Sequence, residues 1–200
     1  MNRKHMVIAF FILLAMAVIL PLFNIPLPFG NPNLGTTPVT LAAVYLPWYL
    51  GLLTGLVKGI SAAAFTGRWL VEIPAGVGDA LMACFTFWVA KSMHKTIAAI
   101  LGQFSRYIFT SGLIALTIST ALAAGLLNAS QAPVKGLTDD FLHNLIISWG
   151  GISYPSITIS ILFNLVVSVL LIMIFGALIE KFLSAGRKPQ SCLWQGKTRC

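Results

Sequence analysis

Lys58, Asp79 and Arg106 are the main charges placed within apolar segments of this chain. A charge in hydrocarbon is costly, so each requires a partner, a wet cavity or a ligand. The Asp79 carboxylate is suited to accept hydrogen bonds from a ligand amine or ring N–H. The competing reading is an internal pair with Lys58 or Arg106. Lys58 either serves a site directly or snorkels from a short helix toward water.

Two further sets combine cations, carboxylates, amides and flat rings. Thr66-Gly67-Arg68-Trp69-Leu70-Val71-Glu72-Ile73-Pro74 joins Arg68, Trp69 and Glu72 at a helix entrance. Arg68 offers a planar fork for a carboxylate or phosphate, and Trp69 a stacking face. An interfacial aromatic beside an Arg–Glu pair explains the same residues. The stretch Asp139 to Pro155 contributes Asn144, Trp149 and Tyr154, which suit a planar heteroaromatic ligand or, equally, an aromatic interfacial belt. His143 lies among them with no Ser/His/Asp order around it. No His-Glu-x-x-His, phosphate loop or Cys/His cluster occurs, so no cofactor or metal site is expected, and the chain has no recognisable means of hydrolysing ATP.

These residues must be positioned by membrane helices. Of 200 residues, 58% are hydrophobic and 9% charged, with mean hydropathy +0.89. A soluble domain has about 25% charged residues. The class is all-α, polytopic and membrane-embedded. Apolar segments run over Met6–Phe23, Thr37–Leu50, Gly51–Phe65, Pro74–Lys91, Ile97–Leu127 and Tyr154–Leu183, predicting six transmembrane helices. The second and third are short. The first lacks a small-residue cleavage site after its apolar run and is expected to be retained.

Net charge is +8, which reflects topology rather than nucleic-acid binding. With the N-terminus inside, Arg3, Lys4, Lys91, Lys95, Lys181, Arg187, Lys188, Lys197 and Arg199 are internal, and Arg68 and Lys135 external. Both termini are therefore placed in the cytoplasm. The long or irregular segments Asn24–Thr36, Thr66–Ile73 and Asn128–Ser153 then face outward, where loops on a rigid scaffold carry function. Residues 1–184 form one membrane domain. Residues 185–200 are expected to be a polar, disordered cytoplasmic tail. Cys84 reads as a small core hydrophobe, and Cys192 and Cys200 have no partner at metal spacing.

The prolines and glycines of Asn24 to Pro38 predict an irregular loop over a small-molecule pocket. Beyond it, Gly51, Gly55 and Gly59 recur at four-residue spacing and so line one helix face. Such a face packs closely on another backbone, either within the chain or on a separate subunit.

Thr36-Thr37-Pro38-Val39-Thr40-Leu41 leading into the Gly51/Gly55/Gly59 helix, and Ile100 to Gly112 with its Arg106 and Ser111-Gly112, resemble the substrate-binding S components of energy-coupling factor vitamin transporters. The resemblance covers residues 1 to about 184. It implies a high-affinity scavenger of a vitamin or related micronutrient in a prokaryotic cell membrane. The ligand would lie near the outer face, and a membrane T component with two ABC-type ATPases would supply the energy. By position, Asp79 and Asn144 match polar ligand contacts of the family. The family's first helix carries small residues four apart for docking. Ala9, Ala15 and Ala17 lack that spacing, which leaves the glycine face to share the role. Two alternatives stand beside this: an intramembrane enzyme using Asp79, His143 or Asp139, and a structural membrane subunit without a small-molecule ligand.

Overall fold

The computed structural model describes residues 2–23, 33–132, 134–152 and 157–185. Among them are seven α-helices and no strand: α1 Arg3–Ile19, α2 Thr36–Tyr45, α3 Trp48–Thr66, α4 Trp69–Ser92, α5 Lys95–Ala123, α6 Phe141–Ile152 and α7 Thr158–Ser184. Five spans are long and apolar enough to cross a membrane: Arg3–Leu22 (α1 with a short 3-10 turn), α3, α4, α5 and α7. Phe11, Ile12, Val166, Met173, Ile174 and Leu178 stand more than half exposed on α1 and α7, as lipid-facing side chains do. The prolines and glycines over 24–32, Tyr154, and the tail from 186 lie outside the described residues.

The bundle is built around its shortest long-range element. Every residue of α2 from Thr36 to Val44 is buried, and α2 touches α1, α3, α4, α5 and α7. A helix that is apolar or small all round has no face to give to solvent or lipid, so it takes the centre. Pro47 ends it: Leu46 is extended (ψ 166°), as a residue before proline prefers. Its ten residues span about 15 Å, half a bilayer core.

Three sequence expectations are corrected. The third segment is not short, because the helix starts at Trp48, directly after Pro47, and runs 19 residues. The stretch Thr66–Ile73 is not a loop. Gly67, with φ 70°, closes α3, and α4 begins at Trp69, carrying Pro74 inside it. A proline there withholds only the N–H that would reach the Leu70 carbonyl, one turn from the helix start, which membrane helices tolerate. The long segment Asn128–Ser153 is not all loop, since its second half carries helix α6, Phe141–Ile152.

The Gly51/Gly55/Gly59 face is buried inside the bundle, so its assignment as a subunit interface is also corrected. Gly51 faces the Ala43 backbone of α2, Gly55 the Asp79–Ala80 backbone of α4, and Gly59 meets Gly76 of α4. The two described chain ends meet at one end of the bundle. Asn2 donates from its backbone N–H to the Leu183 carbonyl (2.8 Å) and from Nδ2 to the Ala185 carbonyl (2.7 Å), and His5 stacks on Phe182.

Candidate functional site

Glycines set the geometry of the site. On α4, Gly76 meets Gly59 of α3, and Gly78 faces α5, where an added Cβ would come within 2.5 Å of Thr110 Cα. With no side chains between them, α3, α4 and α5 approach closely enough for side chains of all three to converge on Asp79.

Asp79 is fully buried and accepts from four donors. Lys58 Nζ forms an ion pair with Oδ2, and the Thr36 hydroxyl donates to the same oxygen at 3.4 Å, the loosest of the four. Arg106 Nε donates to Oδ1 at 3.0 Å and the Thr110 hydroxyl at 2.9 Å. A carboxylate has about four acceptor positions, and all are taken. Arg106 Nη1 also donates to Ser160 Oγ of α7 at 3.2 Å. Lys58, Asp79 and Arg106 thus form one buried layer rather than separate charges.

The starts of α2 and α7 close this layer. Asn164 of α7 accepts from Thr37 N (2.9 Å) and Thr37 Oγ1 (3.0 Å), and donates to the carbonyls of Asn33 and Ser160, both at 2.8 Å. It caps α2 from another helix, a task Gly35 at the N-cap has no side chain to perform. The positive ends of both helix dipoles therefore stand at the level of the charges. Below them, Gln103 Nε2 donates to Thr40 Oγ1 at 2.7 Å.

Asp79 lies deeper than a helix start at Pro74 implies. It is ten residues into α4, ~15 Å from Trp69, near the middle of a ~30 Å hydrocarbon core. Arg68 and Trp69 are exposed and Glu72 is half-buried at the far end of α4, about 10–15 Å from Asp79 along the helix, with no Arg68–Glu72 ion pair among the described residues.

Asn144 is buried, and its amide is occupied by one residue. Oδ1 accepts from Thr138 N (2.8 Å) and Nδ2 donates to Thr138 O (2.7 Å), folding the segment before α6 back on it. It borders a hollow of about 390 Å³ between the end of α5 and the start of α6, with Leu122, Asn128, Asp139 and Phe141. Trp149 Nε1 donates to the Tyr107 carbonyl at 2.8 Å and ties α6 to α5. His143 Nε2 is 3.1 Å from the Gly136 carbonyl. The structure therefore gathers Asp79 with Lys58 and Arg106, leaves Arg68, Trp69, Glu72 and Asn144 toward the end of the bundle where α3 closes and α4 begins, and holds Trp149 beside Tyr107, the neighbour of Arg106 on α5.

Sequence reasoning missed Thr110, Ser160, Asn164, Gly76 and Gly78 as parts of the site. Ser160 and Asn164 stand four apart near the start of a long apolar run, a spacing that places both on one helix face. Gly76-Val77-Gly78 directly before Asp79 signals close approach on both sides of the acid. No family model, no curated protein and no solved structure matches this chain.

Proposed function

We propose that this chain is a membrane-embedded binding subunit that captures a vitamin-like small solute for uptake, in the manner of an S component. A membrane T component with two ABC-type ATPases would energise it. The observation that carries this reading is the buried layer of Lys58, Asp79 and Arg106 at mid-depth, met by the starts of α2 and α7. Ionisable groups inside a membrane domain are costly, and their usual return is a site for solute. Polar side chains at helix starts in mid-bundle are how such domains hold a solute within the bilayer.

In this reading the chain makes six passes, with α2 supplying only the inner half of the second. Both termini face the cytoplasm of a prokaryotic cell, and Arg68, Trp69, Glu72, Asn144, Trp149 and Tyr154 belong to the outer vestibule. The T component docks on a face other than the buried glycines. Binding is favoured over catalysis because Asp79, the most buried acid, has its acceptor positions filled by protein donors and is no free base.

Native mass spectrometry of the purified protein tests the reading, since a tight scavenger retains its solute. One small molecule per chain is expected, with uptake of that molecule by cells that express the chain together with an energising module. Folded protein that neither retains nor rebinds any small molecule from a metabolite extract, with uptake unchanged by the chain, would remove it.

A further inference from the structure

The buried layer holds more positive charge than its own acid neutralises. Lys58 and Arg106 bring two cations against the one carboxylate of Asp79, leaving one positive charge. The chain has four other acids. Glu180 pairs with Lys95 near the end of α7. Glu72 is seven residues up α4, ~10 Å away. Asp139 and Asp140 are exposed before α6. None joins the layer.

The donors are unbalanced in the same sense. Lys58 is 6% exposed and Arg106 3% exposed. An ammonium has three N–H groups and a guanidinium five. Lys58 uses one, on Asp79, and Arg106 uses two, on Asp79 and Ser160. Two and three N–H groups respectively are left without a protein acceptor among the described residues. An uncompensated cation at this depth of burial is strongly unfavourable, and donors that lack a protein acceptor call for another partner. The dipoles of α2 and α7 add to the positive side.

We propose that this layer is an anion subsite: it holds a carboxylate or phosphate group of a small solute, with the free edges of Arg106 and Lys58 as donors. Asp79 is the positioning residue that holds the two cations at the right spacing. Arg106 presents a planar fork matched to an oxyanion, and Lys58 a point charge beside it. This rests on the reading of the chain as a binding subunit and names the chemistry of its solute.

The test is thermal unfolding of the full chain in phosphatidylcholine nanodiscs, titrated with sodium acetate and with sodium phosphate. Parent, Lys58→Met and Lys58→Gln are compared, so that general salt effects cancel. Lys58→Met leaves a balanced Asp79–Arg106 pair, and Lys58→Gln keeps a donor to Asp79 should the first not fold. The expected result is a saturable rise in the parent melting midpoint with at least one salt. Half-saturation should move about tenfold or more in the variants, the size of one lost charged hydrogen bond. Equal titrations in all three proteins would overturn the proposal. So would phosphatidylglycerol nanodiscs that raise the parent midpoint and abolish both responses, because the occupant would then be a lipid headgroup. A co-purified solute with no anionic group would refute the subsite and leave the uptake reading intact. A site-dependent anion response in a protein that captures no solute would refute the uptake reading alone.

Discussion

Gly55 of α3 and Ala80 of α4 lie backbone to backbone: a Cβ on Gly55 would fall 2.6 Å from the Ala80 nitrogen and 2.8 Å from its Cα. Gly55→Ala must therefore push α3 off α4. Overpacking of this kind costs roughly 1–3 kcal/mol. Gly112→Ala is the control, since an added Cβ there meets nothing within 4 Å and alanine favours helix by about 1 kcal/mol. Melting midpoints in detergent should fall for the first and hold or rise for the second. Equal midpoints would mean that the two helices have room to separate freely.

Asp79→Asn strands two buried cations. Removing one member of a buried pair costs about 3–5 kcal/mol. Adding Lys58→Met to the same chain takes away one of the stranded charges, so the double variant should be more stable than Asp79→Asn alone. Chemical or thermal melts of the four proteins of this cycle give the coupling directly. Strict additivity would show that Lys58 and Asp79 do not act on one another.

Asn164 joins four polar groups at the starts of α2 and α7. Asn164→Ala removes its bonds to the Thr37 N–H and hydroxyl and to the Asn33 and Ser160 carbonyls; the Thr37 N–H keeps the Leu34 carbonyl at 3.1 Å, so the loss is the net worth of the bonds, about 0.5–1.5 kcal/mol each. Ser168 sits one turn further along α7, buried, with no hydrogen-bond partner for its hydroxyl among the described residues. Ser168→Ala should therefore change stability little. A Ser168→Ala loss as large as that of Asn164→Ala would contradict the assignment of the polar anchor to Asn164.

Orientation is read with cysteine labelling in a background lacking Cys84, Cys192 and Cys200. On intact cells an impermeant maleimide should label Lys135→Cys and not Lys181→Cys, both exposed positions at opposite ends of the bundle. The reverse pattern would invert the topology argued from the lysines and arginines.

Hydropathy made the membrane helices legible, and the rarity of charge in apolar segments pointed to Lys58, Asp79 and Arg106 together. Their convergence was legible only as one of several readings, because pairing depends on how closely α3, α4 and α5 approach. That distance is set by Gly55, Gly59, Gly76 and Gly78, and a glycine in an apolar run reads the same whether it faces lipid, another subunit or a neighbouring helix. Asn144 and Trp149 show the opposite limit. Their side chains look like ligand groups in sequence, yet each is engaged by a backbone group, Thr138 or Tyr107, that comes near only once the chain has turned back on itself. Pro74 misled the boundary of α4 because a proline that would end a helix in water is tolerated within one in a bilayer.

The mid-depth of Asp79 also has an electrical meaning. Moving one elementary charge across a membrane held at 100 mV involves about 2.3 kcal/mol. A charge that travels ten residues down α4, ~15 Å, crosses about half of the hydrocarbon thickness and hence about half of that voltage drop. An anion arriving at Lys58 and Arg106 from either face is therefore bound partway through the field. Its occupancy becomes a function of membrane voltage, with the inside-negative potential of a living cell weakening capture from outside and assisting release in that direction. Binding to proteoliposomes under an imposed potassium diffusion potential would read this shift, and a voltage-independent affinity would place the bound charge outside the field.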